Sequence, residues 1–306
     1  MKRVNRSLTF VLLLAVGCIA SAGRYGYLQA ERQASVKQQI RVVANAIQTS
    51  SYTPIISLSP ATQLPQCVVK LRFHGTQASL ERAQYWLQFI EQDLQLVDMS
   101  TALVCGEFTT QFIGMDGCSE DNGRAWCPLA PVYAQRDAAG SAIVDIVITP
   151  SGLANTRNGV VFLHEQASAL VLRHELGHAL GFADEYSMLP ELATQFCAGE
   201  FDFRPLNMVI TQNDWVTNAE YKKLTRQLPW QRYIEQELGV LEPSGIWRLG
   251  SQNKEKVGLF AAETCAGTGY YAWKPLAQKT FMQQHEIGEV PELYLQLIQQ
   301  SLAGSL

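Results

Sequence analysis

Between residues 174 and 186 the chain reads His-Glu-Leu-Gly-His-Ala-Leu-Gly-Phe-Ala-Asp-Glu-Tyr, and no other stretch restricts the fold as tightly. His174 and His178 are one helical turn apart, so on a helix both imidazoles leave the same face and can share one divalent metal ion. Glu175 follows the first histidine and lies about 100° around the helix from it, where it reaches water at the metal without being a ligand. That is the place for a general base. Gly181 suits a left-handed helix end, from which the chain folds back sharply. Asp184 then arrives as the third ligand, although a one-residue shift of the turn would exchange it for Glu185. The competing reading is a core helix with two incidental histidines, for which Leu170, Leu176 and Leu180 would supply the apolar side; it leaves Gly181 and Asp184 without a purpose.

The order His, Glu, His, Gly and then a ligand ten residues after the first histidine resembles the metzincin signature, with aspartate where most members carry a third histidine. A carboxylate is an ordinary zinc ligand, and it lowers the net charge of the centre. The Asp184-Glu185-Tyr186 ending, the run Leu206 to Thr211, and the Gly269-Tyr270-Tyr271, Lys274-Pro275 and Phe281-Met282 steps resemble the immunoglobulin A peptidase-like metzincins, from about Cys67 to the C-terminus. Many members place Asp-Glu-Tyr one residue further from the second histidine, so cleavage of immunoglobulin is not carried over.

The resemblance implies an α+β zincin. A mixed twisted sheet packed on helices would form an upper lobe, residues 67–181, carrying the zinc helix Glu165 to Leu180, above a loop-rich helical lower lobe, residues 182–306. It implies zinc-dependent hydrolysis of a peptide or protein bound in extended form. His174, His178 and Asp184 would hold Zn²⁺, and Glu175 would move the proton from water to the leaving amine. Strand Val160 to Leu163 would be the cleft's upper edge, pairing with substrate. Met282 would form the methionine turn under the metal, with Met208 as runner-up. Tyr186 would donate to the oxyanion or, by preference, pack under the turn; His285 is a further oxyanion donor, and His164 is read as a structural strand-end histidine.

Two other readings compete. In gluzincins the third ligand is a glutamate on a later helix, for which Glu220 or Glu235 would serve. A non-catalytic envelope protein braced by zinc is the other, and Glu175 argues against it because a closed structural site has no use for a base.

Residues 1–22 carry Lys2, Arg3 and Arg6 ahead of an apolar run from Leu8 to Ala20, then Ala20-Ser21-Ala22. This is the pattern of an export signal, either cleaved or kept as a single membrane anchor, and it predicts a periplasmic, envelope or extracellular location. Cys18 in that run also loosely resembles a lipoprotein acylation site. Residues 23–66 read as a stalk or short pro-segment, with a helix from Tyr27 to Ile47 and then Pro54, Pro60 and Pro65. From residue 67 to 306 follows the catalytic domain. A net charge of -4, with no cluster of Lys and Arg beyond the signal, excludes a nucleic-acid-binding surface.

Six cysteines remain once Cys18 is set aside: Cys67, Cys105, Cys118, Cys127, Cys197 and Cys265. None has zinc-ligand spacing, and in an exported chain an even number fits disulfides, Cys118 with Cys127 being the most local pair. The loop between those two and the residues just before it carry Asp116, Glu120, Asp121 and Asn122, oxygens of the kind Ca²⁺ takes, although solvated turn acids are the plainer reading. Strands are expected over Val68 to Phe73, Leu103 to Ile113, Ala142 to Thr149 and Gly159 to His164. Helices are expected over Ser79 to Val97, Asn218 to Gln227 and Pro291 to Leu302.

Overall fold

The computed structural model describes residues 56–59, 69–94, 104–110, 118–127 and 142–302. The leader, most of the spacer, Cys67 and Asp116 lie outside the described residues. No described helix is long and apolar enough to cross a membrane.

The first elements are β1 (Ile56–Ser57), β2 (Val69–His74), α1 (Leu80–Asp93), β3 (Val104–Thr109), β4 (Ser119–Asp121), β5 (Arg124–Trp126), β6 (Ala142–Thr149), β7 (Asn155–Arg157), β8 (Val160–His164) and α2 (Ala169–Ala179). They build a six-stranded sheet in the order β1-β3-β2-β6-β8-β7. Its four inner strands are parallel and its two edge strands antiparallel. Parallel strands are covered on both faces, which is why β6 is buried from Ile143 to Thr149 and is β-branched at every one of those positions but Asp145. On one face Val69, Leu71, Phe73 and Phe108 share a core with Ala83, Trp86, Leu87 and Ile90 of α1. A Cβ at Gly106 would lie 2.5 Å from Leu87, so glycine lets α1 come down onto β3. Trp86 ties α1 to the entry of α2 by donating to the Ala167 carbonyl at 3.2 Å. The other face holds a buried polar quartet, Arg72 to Glu107 at 2.6 Å and His74 to Asp145 at 2.9 Å.

Several expectations need correction here. The helix expected from Ser79 starts at Leu80: Ser79 ends a short 3-10 turn at the N-cap position, makes no side-chain cap bond and shares a hydrogen bond with the Thr76 hydroxyl instead. The helix expected over Glu165 to Leu180 begins only at Ala169, because Ser168 is extended and its hydroxyl accepts from the Val171 amide. Ile56 and Ser57, placed in a passive spacer by the sequence, pair with Phe108 and Glu107 at the sheet edge. The largest correction concerns the substrate edge. Val160–His164 pairs with β6 along its length and with β7 over Val160 to Phe162, so it is an inner strand and the edge strand is β7. Asn158 and Gly159, at φ 52° and 73°, form the tight turn that folds β7 back on β8.

The acidic loop before Cys127 is also not what was expected. It is a hairpin, β4 with β5, turned by Asn122 and Gly123 at φ 53° and 76°. Asp121 binds Arg157 at 2.9 Å, and the described residues of the hairpin form no cluster of ligands for Ca²⁺. The Cys118–Cys127 bridge closes the hairpin, whose Ala125 and Cys127 pack on Val147, Val160 and Phe162. A second bridge joins Cys197 to Cys265, and Cys105 is disulfide-bonded as well. Serine at both 118 and 127 is expected to lower stability by about 2 to 3 kcal/mol, the chain entropy of a ten-residue loop. Urea titration measures this, and peptide mapping without reduction should recover Cys118 with Cys127 and Cys197 with Cys265.

After residue 182 the expected helical region contains two further sheets. The elements are α3 (Pro190–Cys197), β9 (Val209–Thr211), β10 (Trp215–Val216), α4 (Asn218–Gln227), β11 (Gly239–Leu241), β12 (Trp247–Leu249), β13 (Phe260–Ala262), β14 (Tyr271–Lys274) and α5 (Glu292–Leu302). The sheets run β10-β12-β11 and β13-β14-β9. Their strands are two to four residues long, too short for alternation to show in the sequence.

Candidate metal centre

The helix α2 carries His174 and His178 on one face, with ring centroids 4.8 Å apart. Each ring is held from behind. Nδ1 of His174 lies 2.9 Å from the Phe281 carbonyl, and Nδ1 of His178 lies 3.0 Å from the Phe182 carbonyl. A carbonyl only accepts, so each Nδ1 carries a hydrogen and each neutral ring turns the lone pair of Nε2 forward. Both Nε2 atoms face Oδ1 of Asp184, at 3.2 and 3.1 Å.

Three lone pairs therefore converge on one point, an arrangement that repels itself unless a cation sits among them. Asp184 Oδ1 is buried and has no well-aligned hydrogen-bond donor. With only protons available, burial works against a charged His178, but Asp184 outweighs it and raises the imidazole to about 9. Burial likewise opposes an ionised Asp184, and the two imidazoles overcome it and hold the carboxyl well below the usual range. A metal ion answers the same demand. Tetrahedral zinc with bonds of about 2.0 to 2.1 Å places its ligand atoms about 3.3 Å apart, close to the separations found here. Among the described residues this is the one group of three or more His, Cys, Asp or Glu side chains that could hold a metal ion. The backbone carbonyls behind the rings are the partners that metal-binding histidines ordinarily take.

Asp184 reaches this point because of the turn before it. Gly181 has φ 104°, and the Phe182 amide donates back to the Gly177 carbonyl at 2.9 Å, so the chain reverses under the helix. The side-chain amide of Asn207 then pairs with both the N–H and C=O of Ala183, at 2.9 Å each, holding the next residues extended. In an extended chain neighbours point to opposite sides. Asp184 faces the histidines and Glu185 faces the core. Glu185 is fully buried and accepts from Lys274 and Thr280 at 2.9 Å, from Asn207 at 3.0 Å and from the Tyr294 hydroxyl. Burial and this carboxylate push the Tyr294 phenol well above its ordinary range, so it stays a neutral donor. Of the two adjacent carboxylates it is therefore Asp184 that stands beside the histidines, while Glu185 is engaged on the far side.

Met282 is completely buried beneath α2, and a Cβ at Gly177 would come within 2.5 Å of its sulfur and 2.9 Å of the Phe281 ring. Its carbonyl accepts from the Glu185 amide at 3.0 Å. Met208 lies elsewhere, packed on Cys197 and Cys265. Arg173, one residue before His174 and 1% exposed, points the other way. It binds Asp93 at 3.2 Å, the carbonyls of His285, Ile287 and Gly288, and the ring of Phe281, pinning the chain that follows Met282.

Glu175 lines the cleft beside both histidines and is 8% exposed. The Thr156 hydroxyl, on the edge strand β7, lies 2.9 Å from its Oε2 and 2.7 Å from its backbone carbonyl. Having one hydrogen, this hydroxyl can donate to either. Tyr186 stacks on His174 at 6.2 Å and stands within reach of Asp184; burial and that carboxylate raise its phenol well above the ordinary range. The other histidines are apart from the cluster. His164 accepts from the Gln166 amide, and His285 is half-buried and paired with Glu286. Of the gluzincin candidates, Glu220 caps α4 with Thr217 and Glu235 accepts from the Val257 amide; neither approaches the triad.

Thr156 and Arg173 were not singled out from the sequence, and Lys274 was named there only within the Lys274-Pro275 step, without a role. Asn158-Gly159 was the available signal for a hairpin and hence for Thr156 on its first strand. A scan of protein-family models and a search of the curated proteins find no match to this chain.

Proposed function

We propose that this protein is a zinc-dependent endopeptidase, carried by one observation: two imidazole nitrogens converge on one carboxylate oxygen at 3.1 to 3.2 Å, in an open cleft beside a glutamate on the same helix. His174, His178 and Asp184 would hold the ion, leaving a position open to the cleft. Zinc in such a site polarises a carbonyl and lowers the pKa of water. Glu175 takes the proton of the attacking water and hands it to the leaving amine. Thr156 orients that carboxylate from β7. The Tyr186 phenol, kept neutral, has a hydrogen to offer to developing negative charge.

The disulfides and the basic-then-apolar leader support export, to the periplasm, envelope or medium, free or anchored by residues 1–22. The test of the metal assignment is zinc content. Asp184→Ala is expected to lose most of the bound zinc, measured by atomic emission after dialysis, while Glu220→Ala and Glu235→Ala keep one ion per chain. Zinc retained in Asp184→Ala and lost in either of the others would transfer the third ligand to a later helix. Incubating the zinc-loaded chain with a proteome-derived peptide library tests the hydrolysis, and a chelator should stop it.

A further inference from the structure

We infer, on the peptidase reading above, that residues 186–203 form a subsite for a large apolar or aromatic side chain on the N-terminal side of the cleaved bond. Exposed apolar side chains on a soluble protein are ordinarily scattered singly. Here five of the twelve such residues among those described fall in this one segment: Tyr186, Leu189, Leu192, Phe201 and Phe203. Leu192, Phe201 and Phe203, exposed by 37, 42 and 41%, line a cleft of about 590 Å³ that is continuous with His174, Glu175, His178 and Asp184. This wall is held in place before anything binds. Cys197 at the end of α3 is bridged to Cys265, Phe196 is buried at 8%, and its ring leans on Phe201 at 6.4 Å.

The facing wall is polar, with Asn155 and Thr156 of β7 followed by Asn158. One polar and one apolar wall suit an extended peptide whose main chain follows β7 and whose side chain crosses to the phenylalanines. Among the described strands β7 pairs with β8 alone, which leaves its outer edge for such pairing. The direction follows from what lies at each end of β7. Leu153 lines a second recess beside His174, with Gln283 to Glu286, whereas Thr156 and Asn158 line the apolar cleft. A strand added antiparallel, the more stable ladder, runs against β7. Its N-terminal part then crosses the apolar wall and its C-terminal part leaves through the second recess. Asp202, between the two phenylalanines, sets a like charge against an acidic side chain there, and the cation that also lines the cleft, Arg124, is bridged to Leu153 before the start of β7, away from Asn158.

The experiment uses the zinc-loaded chain and pairs of peptides that differ only in carrying Phe, Ala or Glu at the first or second residue before the cleaved bond. Phe is expected to exceed Ala in kcat/KM by at least about tenfold at one of these positions, with Glu below Ala. Phe201→Ser and Leu192→Ser, both at exposed positions, should each shrink the Phe-to-Ala ratio, which is independent of the fraction of folded enzyme. Binding of the same peptides to Glu175→Gln, followed by calorimetry without turnover, should show the same order. A Phe preference confined to residues after the cleaved bond, or a ratio unmoved in both serine variants, overturns the subsite and leaves the peptidase reading standing. Selective binding with no cleavage by the unmodified chain keeps the subsite and overturns the peptidase reading.

Discussion

Glu175→Gln should bind one zinc ion, fold as the unmodified chain does, and lose hydrolysis of an unfolded protein substrate by about 10² to 10⁴-fold, the usual contribution of a positioned acid–base group. The amide keeps the shape of the carboxylate and can still meet the Thr156 hydroxyl, which stands 2.9 Å from Oε2. It cannot take up the proton. Because Glu175 is outside the triad of His174, His178 and Asp184, zinc content separates a lost base from a lost metal. A fully active Glu175→Gln variant would sink the mechanism while leaving the metal centre intact.

The second large effect lies on the far side of the same turn. Lys274 and Glu185 are 3% and 0% exposed and meet at 2.9 Å, and the lysine also reaches the Gln278 carbonyl and the Gln283 side chain. Lys274→Met strips a buried carboxylate of its countercharge, and a buried charge left alone costs about 3 to 5 kcal/mol. Glu185→Gln leaves the opposite charge alone and should cost a comparable amount. Combining the two substitutions removes both charges, so the pair should be destabilised by clearly less than the sum of the singles. Urea denaturation of the zinc-free proteins measures all three. Additive losses would mean that the two side chains do not act as a unit.

The parts of this molecule that could be read from the sequence are those whose residues meet locally. The one-turn spacing of His174 and His178, the glycine at the helix end and the nearby aspartate act within a dozen residues, and they come together at 3.1 to 3.2 Å. The parallel strands also announced themselves, because burial on both faces favours a largely apolar, β-branched stretch such as Ile143 to Ile148, interrupted only by the buried Asp145. What could not be read depends on distant partners. Whether Asp184 or Glu185 faced the histidines was decided by Lys274, Thr280 and Tyr294, about 90 to 110 residues downstream. The edge strand was misassigned because three residues, Asn155–Arg157, are too few for periodicity, leaving only the Asn-Gly turn after them as a sign. The short sheets of the C-terminal half failed for the same reason.

The absence of a side chain at Gly177 acts as a gauge for the whole site. The helix and the Met282 turn stand as close as a hydrogen allows, since a Cβ there would intrude to 2.5 Å of the sulfur. His174 takes its alignment from that turn through the Phe281 carbonyl, and Asp184 takes it through the neighbouring Glu185 amide bound to Met282. His178 does not: its carbonyl partner is Phe182, at the end of its own helix. Two of the three converging atoms are thus referenced to a segment about a hundred residues away, and the third to local helix geometry. Their convergence reports that the C-terminal segment has docked at the right depth, so an incompletely folded chain would present a histidine pair without the carboxylate in place and hold an ion poorly until its last segment had closed.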